Sequence, residues 1–439
     1  MFPGGIRIRR RRGADASGSR ALRIAWALAV ASASVVACSA IVGVEDVTLA
    51  KRDASDVPPE GDGDTTDTGE PPLPKDGSVA PQVQLALGFL HTCARKKSGT
   101  VLCWGDNGAG QLGDGIPFDA GPRPDALVPQ AVKGIDDAIA IASGLSHTCV
   151  VRRAGTVACW GINSFGQLGN GTKERSSSPG PVIGLANVVT LSGGTSFTCA
   201  LQTNGKVSCW GANYSGQLGD NTKVDRTTAS DVLQLDGAKG IATGEHHACA
   251  IVGGGAVKCW GKNDDGQLGT GNTTESLVPV DVGLSDVAQV VAASRFTCAR
   301  QNSGQVYCWG ANYLGQLGTG TANASPNPSP TSTVVRDALS IWVGYEHACA
   351  ARKTGETVCW GAAGDGQLGS GTVAAEASIP DPRPVVGLAS ALEVSTGGNH
   401  SCATTVSGAV YCWGSNSLGQ CGNGTRERAY AAVKVSGFP

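Results

Sequence analysis

The sequence predicts an all-β protein, a closed array of seven like units, and two observations carry that reading. The stretch 103–115, Cys-Trp-Gly-Asp-Asn-Gly-Ala-Gly-Gln-Leu-Gly-Asp-Gly, returns six more times. Its tryptophans fall at Trp104, Trp160, Trp210, Trp260, Trp309, Trp360 and Trp413, separated by 56, 50, 50, 49, 51 and 53 residues. A period near fifty marks supersecondary units that cannot bury their apolar faces alone and must stack on one another. Within a unit the apolar residues alternate and show no helical period, which makes each unit a set of short strands.

In residues 138–171, alternation through Ile139 and Ile141, then 148–151, then 157–160, reads as successive strands. Between the second and third lies Arg153-Ala154-Gly155, with Gly at the left-handed place of a three-residue hairpin loop. A loop closed there sets Cys149 opposite Cys159, and the same arithmetic pairs a cysteine couple in every unit. Repeats cover residues 81–439. Gly is 64 of 439 residues, about twice the usual share of roughly 7%, as many tight turns require. With 41% hydrophobic and only 16% charged residues, a sizeable core can be buried.

The net charge of -2 conceals a division. Residues 1–37 carry seven arginines against Asp15, whereas residues 38–80 carry ten acidic and three basic groups, leaving the repeats near -1. A near-neutral array has no electrostatic footprint for nucleic acid. The arginine-rich start, followed by the uncharged run 24–44, reads as an export signal. Val35-Val36-Ala37-Cys38 resembles the lipobox of bacterial lipoproteins, which implies a signal peptide over 1–37, lipidation of Cys38 and an outer-membrane address. An uncleaved anchor is the alternative, since the run is long enough to span a bilayer. Residues 38–80, rich in Asp, Pro, Gly and Thr, read as a disordered acidic linker. The protein is therefore expected outside the cytoplasm, tethered in the cell envelope.

The repeated pattern Gly-x-x-His-Thr, a hairpin glycine, then Trp-Gly-x-Asn-x-x-Gly-Gln-Leu-Gly stands at 88–92 with 104–113 and at 144–148 with 160–169. It resembles the repeat of the regulator of chromosome condensation family. Departures are Ala363 for the Asn, Cys421 for the Leu, and Phe197 and Phe296 for the His. The resemblance implies a seven-bladed β-propeller of four-stranded blades. Residues 431–437 match 130–134 ahead of the second unit, while the first unit starts near Val83. We therefore expect the ring to be closed by pairing of N- and C-terminal strands, 431–435 against 83–87.

Fourteen of the 16 cysteines form couples ten residues apart: Cys93 with Cys103, Cys149 with Cys159, Cys199 with Cys209, Cys249 with Cys259, Cys298 with Cys308, Cys349 with Cys359, and Cys402 with Cys412. In an exported chain this reads as one disulfide per blade, against buried free thiols or zinc sites lacking two ligands. Cys421 is left over, in a leucine's place.

Candidate partner contacts are His91, His147, His247, His347 and His400, one place in five repeats. In the resembled family this place helps contact the Ran GTPase. Because Phe fills the place twice, core packing is the first reading of it, ahead of partner contact and of a metal or anion held by an imidazole ring. Three long excursions after the Gly-Gln-Leu-Gly turn, 116–128, 321–333 and 373–384, share one topological position and should emerge on one face. Phe118, Phe165, Tyr214, Tyr313 and Tyr345 are possible hot spots on it. Neither a catalytic constellation nor a nucleotide loop stands out from the repeats, so no enzyme activity, cofactor or metal is expected.

The expected function is a membrane-tethered, extracytoplasmic propeller, a monomer that binds a protein or a cell-surface polymer. Secreted β-lactamase-inhibitor propellers share the repeat and act by protein contact. Guanine-nucleotide exchange on a small GTPase is the alternative the family implies, and an envelope polysaccharide enzyme is a third.

Overall fold

The computed structural model describes residues 82–439 except 122, 374 and 375. The expected signal segment 1–37, Cys38 and the linker 38–80 lie outside the described residues. Seven four-stranded antiparallel sheets follow one another along the chain, each made of four consecutive strands. Blade one is Val83–Leu87, His91–Lys96, Val101–Gly105 and Ala126–Ala131. Blade seven is Ala391–Thr396, His400–Thr405, Val410–Gly414 and Ala429–Lys434. First strands of neighbouring blades approach one another, blade seven's against blade one's included, so they line the centre of a closed ring. Outer strands face away, and five of the seven carry proline, Pro129 and Pro279 among them, which strips hydrogen-bond donors from the exposed edge.

The hairpin reading holds. Gly155 sits at φ 74°, and Cys149 lies opposite Cys159 in the register of its strands. All seven cysteine couples are disulfides. Cys421 is a buried free thiol, and burial pushes it up to about 12, far from the thiolate needed for reactivity.

Closure differs from the expectation. Ala429–Lys434 pairs with Val410–Gly414 inside its own blade, Tyr411 opposite Lys434, and Val83–Leu87 pairs with His91–Lys96. Each blade is completed within its own stretch of chain, so no strand is left to cross the gap. The seventh junction is instead built from the parts of the other six. Every repeated Trp is buried and donates its indole N–H to the backbone carbonyl of the Gln in the preceding blade's turn: Trp160 to Gln111 at 2.8 Å, and Trp104 to Gln420 at 2.9 Å across the closing junction. The glycine that ends each turn leaves room for the indole; a Cβ on Gly422 would lie 2.6 Å from Trp104 Nε1. The Gln side chain holds the turn from within, Gln111 Oε1 accepting from the Ala109 N–H at 2.8 Å.

Candidate functional site

Antiparallel order puts the first-to-second and third-to-fourth connections of every blade at the same end of its sheet. One face of the ring therefore carries the x-x of Gly-x-x-His, the Asn-x-x-Gly turns and the excursions. Two excursions are not loops: 321–333 is mostly the long outer strand Asn323–Ser332, and 373–384 ends in the strand Ser378–Pro384. Both extend the ladder already begun by the blade's third strand. The first excursion stays outside any strand in its described residues, up to the start of Ala126–Ala131. Its Phe118 is not a free platform, because its ring lies between the guanidinium groups of Arg123 and Arg175, 4.2 and 3.9 Å from its centroid.

The five histidines are buried, which removes them from any partner surface. Each Nε2 meets a hydroxyl of the next blade: His91 with Thr148, His147 with Thr198, His247 with Thr297, His347 with Ser401, and His400 with Thr92, at 2.8–3.0 Å. Those hydroxyls donate to a turn carbonyl, as Thr148 does to Gln111 and Ser401 to Gln367, so the imidazole must be the donor. The ring is neutral with its proton on Nε2. Burial lowers His91, His247, His347 and His400 to about 3 and His147 to about 4. Where Phe replaces His, the hydroxyl is gone too: the residue one blade on from Phe197 is Ala248, and from Phe296 it is Ala348. His147→Phe alone should therefore cost about 2–3 kcal/mol, by crowding the Thr198 hydroxyl and removing the N–H it accepts from, while its own bond to the Gln167 carbonyl remains. Adding Thr198→Ala, which copies the Phe197–Ala248 junction, should restore most of it. Urea melts of the two single variants and the double read the coupling, and strict additivity would contradict the pairing.

At the mouth, the residues after each Gly-register position form a ring of one residue per blade, Phe89, Leu145, Thr195, Glu245, Ser294, Tyr345 and Gly398, the last without a side chain. Backbone bonds join neighbours, Phe89 N–H to Leu145 O at 3.2 Å and Glu245 N–H to Ser294 O at 3.2 Å. Phe89 lies over Gly398 and meets Tyr345 edge-on, ring centroids 6.0 Å apart. Tyr345 is thus at the mouth, half-buried rather than the exposed aromatic expected.

Around this ring the blades are unlike. Blades two, three and five carry exposed aromatics in their Asn-x-x-Gly turns: Phe165, Tyr214 and Tyr313. Phe165 and Tyr214 sit 6.4 Å apart, and the Tyr214 hydroxyl reaches His246 Nδ1 at 2.8 Å. Beside them stand Glu245, Asp265, Arg295 and Glu346, all near the mouth. Burial raises Tyr214 to about 12, helped by Glu245 and Asp225, so its hydroxyl stays protonated. Sequence reasoning missed the charged residues because they occupy the places where repeats disagree. The available signal was their charge: at the place of Glu245 the other blades carry Phe89, Leu145, Thr195, Ser294, Tyr345 and Gly398, none of them charged.

A sequence profile of the regulator of chromosome condensation (RCC1) repeat matches residues 98–151, 154–201, 255–300, 303–351, 355–404 and 407–438. Each complete match begins near the hairpin of one blade and ends in the second strand of the next, so the unit of sequence is the junction between blades. The protein described as "Probable E3 ubiquitin-protein ligase HERC4" of Rattus norvegicus is 39% identical over 87 residues, which are 20% of this chain and 8% of that protein. This chain thus matches less than a tenth of that relative's length. Human WBSCR16 superposes with a TM-score of 0.68 at 23% identity, covering 77% of this chain and 94% of that one. Prp20p of Saccharomyces cerevisiae, described with its binding properties to Gsp1p and histones, superposes at 0.67 with 21% identity, covering 81% and 88%. At these identities the two structures establish the fold.

Proposed function

The chain belongs to the regulator of chromosome condensation repeat family, and from that premise we propose that it is a protein-binding propeller, tethered outside the cytoplasm, which engages its partner with the mouth face of blades three to six. The observation that carries this reading is the contrast between the junctions, built alike seven times, and one sector of one face, where exposed tyrosines and partly buried charges gather. Tyr and Arg set in partly desolvated surroundings are the usual anchors of protein interfaces. Loops on a rigid scaffold are the usual carriers of recognition. A disulfide in every blade suits an oxidising compartment, in accord with the export signal read at 1–37. A cytoplasmic GTPase would be out of reach there, which weighs against nucleotide exchange.

The test is capture. Oxidised protein immobilised on beads should retain a protein from envelope extracts, and Tyr214→Ser/Tyr313→Ser should lower retention at least tenfold with an unchanged melting temperature. Retention that survives this double change, or retained material that is polysaccharide, would overturn the proposal.

A further inference from the structure

We infer that the cleft among the mouth loops of blades four to six takes a basic side chain, an arginine or lysine presented by the partner protein. This rests on the reading of the mouth face above and adds the chemistry of what binds there. Three carboxyl groups, Glu245 and Asp265 on loops of blade four and Glu346 on a loop of blade six, flank the one guanidinium of blade five, Arg295. Arg295 Nε stands 3.8 Å from Glu245 Oε2, and its Nη1 3.8 Å from Asp265 Oδ2. Both are longer than the roughly 2.7–2.9 Å of a charge-assisted hydrogen bond.

Glu245 is the least satisfied of the three. Its side chain is 2% exposed and His246 Nε2 lies 2.9 Å from Oε1, yet neither carboxylate oxygen receives a well-formed hydrogen bond. A desolvated carboxylate in that state is costly, and a donor carrying positive charge relieves it best. Asp265 is partly relieved by the Tyr313 hydroxyl, which donates to Oδ1. Glu346 lines a cleft of about 150 Å³ together with Arg295, Tyr313 and Tyr345. Burial pushes the Glu346 carboxyl up while Arg295 draws it down.

Of the three, Glu346 lines the cleft while Glu245 and Asp265 stand against the Arg295 that lines it, so one guanidinium is shared among three carboxyl groups and the cleft is left short of positive charge. Its volume is that of about five water molecules at ~30 Å³ each, enough for the head of one long side chain. The rings of Tyr313 and Tyr345 beside it favour a cation further. An acidic segment would be repelled, and a neutral sugar would add no positive charge beside Arg295.

The probes are a tetra-arginine peptide and its tetra-citrulline counterpart, which keeps shape and loses charge, titrated calorimetrically into the oxidised full chain. Tetra-arginine should bind at least tenfold tighter than tetra-citrulline, and should weaken severalfold between 50 and 300 mM salt as screening shortens. Glu346→Gln should weaken it severalfold, and Glu245→Gln/Glu346→Gln at least tenfold, with melting temperatures unchanged. The single variant keeps the test informative if the buried Glu245 proves necessary for folding. Equal binding of the two peptides, or full binding by Glu346→Gln, would overturn the inference. If envelope capture is lost with the tyrosine variant but kept with the carboxylate variants, the inference fails while the proposed function stands; loss of both readings requires capture itself to fail.

Discussion

Reducing the disulfides should lower the melting temperature of the propeller by roughly 20 °C. Each bridge closes a loop of ten residues between the second and third strands of a blade, and a closure of that length restrains the unfolded chain by roughly 2–3 kcal/mol. Seven of them act on one cooperative ring, and the total is divided by an unfolding entropy that scales with its more than three hundred residues. The effect is this large because there are seven bridges, although each closes a short loop and contributes less than a long-range bridge would. They pin seven hairpins in the denatured ensemble, so refolding starts with the register of each blade's middle strands already set. Calorimetry with and without a phosphine reductant reads the shift. Thiol titration of the denatured, unreduced repeat region should find Cys421 alone. A melt indifferent to reductant would mean that the indole and hydroxyl bonds between blades carry the ring by themselves.

The blades were legible in the sequence because a repeat states the same physical requirement seven times. The Trp period, the hairpin glycine at Gly155 and the ten-residue cysteine spacing each fix a local geometry, and all three hold in the structure. Closure was misread for the opposite reason. The match of 431–437 to 130–134 correctly identifies a fourth strand, but identifying a strand does not say which neighbour it pairs with, and the local partner Val410–Gly414 wins. The histidines were half legible. Their recurrence invited a surface role, whereas the signal for an inner lock was also present: Phe197 and Phe296 each coincide with an Ala where the following repeat otherwise has Thr or Ser. Glu245, Asp265, Arg295 and Glu346 were not legible as a group. They sit at register places where the repeats differ in residue type, and only the ring brings Glu245 and Asp265 against Arg295 beside Glu346.

Glu393→Gln should stabilise the protein at pH 8 and leave it unchanged at pH 4. Glu393 lies opposite Thr404, two residues past Cys402, in the place that Gln289, opposite Arg300, holds in blade five. Gln289 clamps the next blade with two bonds, Nε2 donating to Ile341 O at 2.8 Å and Oε1 accepting from Ile341 N–H at 2.9 Å. The corresponding residue across the closing junction is Leu85, whose backbone bonds the Glu393 carboxyl. Oε2, where the amide of Gln289 would donate, is buried without a partner. Only the protonated acid can imitate the amide. Burial accordingly raises Glu393 from its usual 4.5 to about 8, with Arg95 and the Leu85 backbone drawing it back. The folded protein therefore holds a proton that the unfolded chain releases above about pH 4.5, and stability falls as pH climbs from there to about 8, then levels. A shift of this size corresponds to a loss on the order of 4 kcal/mol, or about 5 °C in a domain of this length. The Gln variant has no proton to lose, so the difference between the two melting curves should open steadily across that interval. A difference that is constant from pH 4 to pH 9, or a variant that melts lower at pH 8, would show that Glu393 is ionised in the folded ring and held there by Arg95.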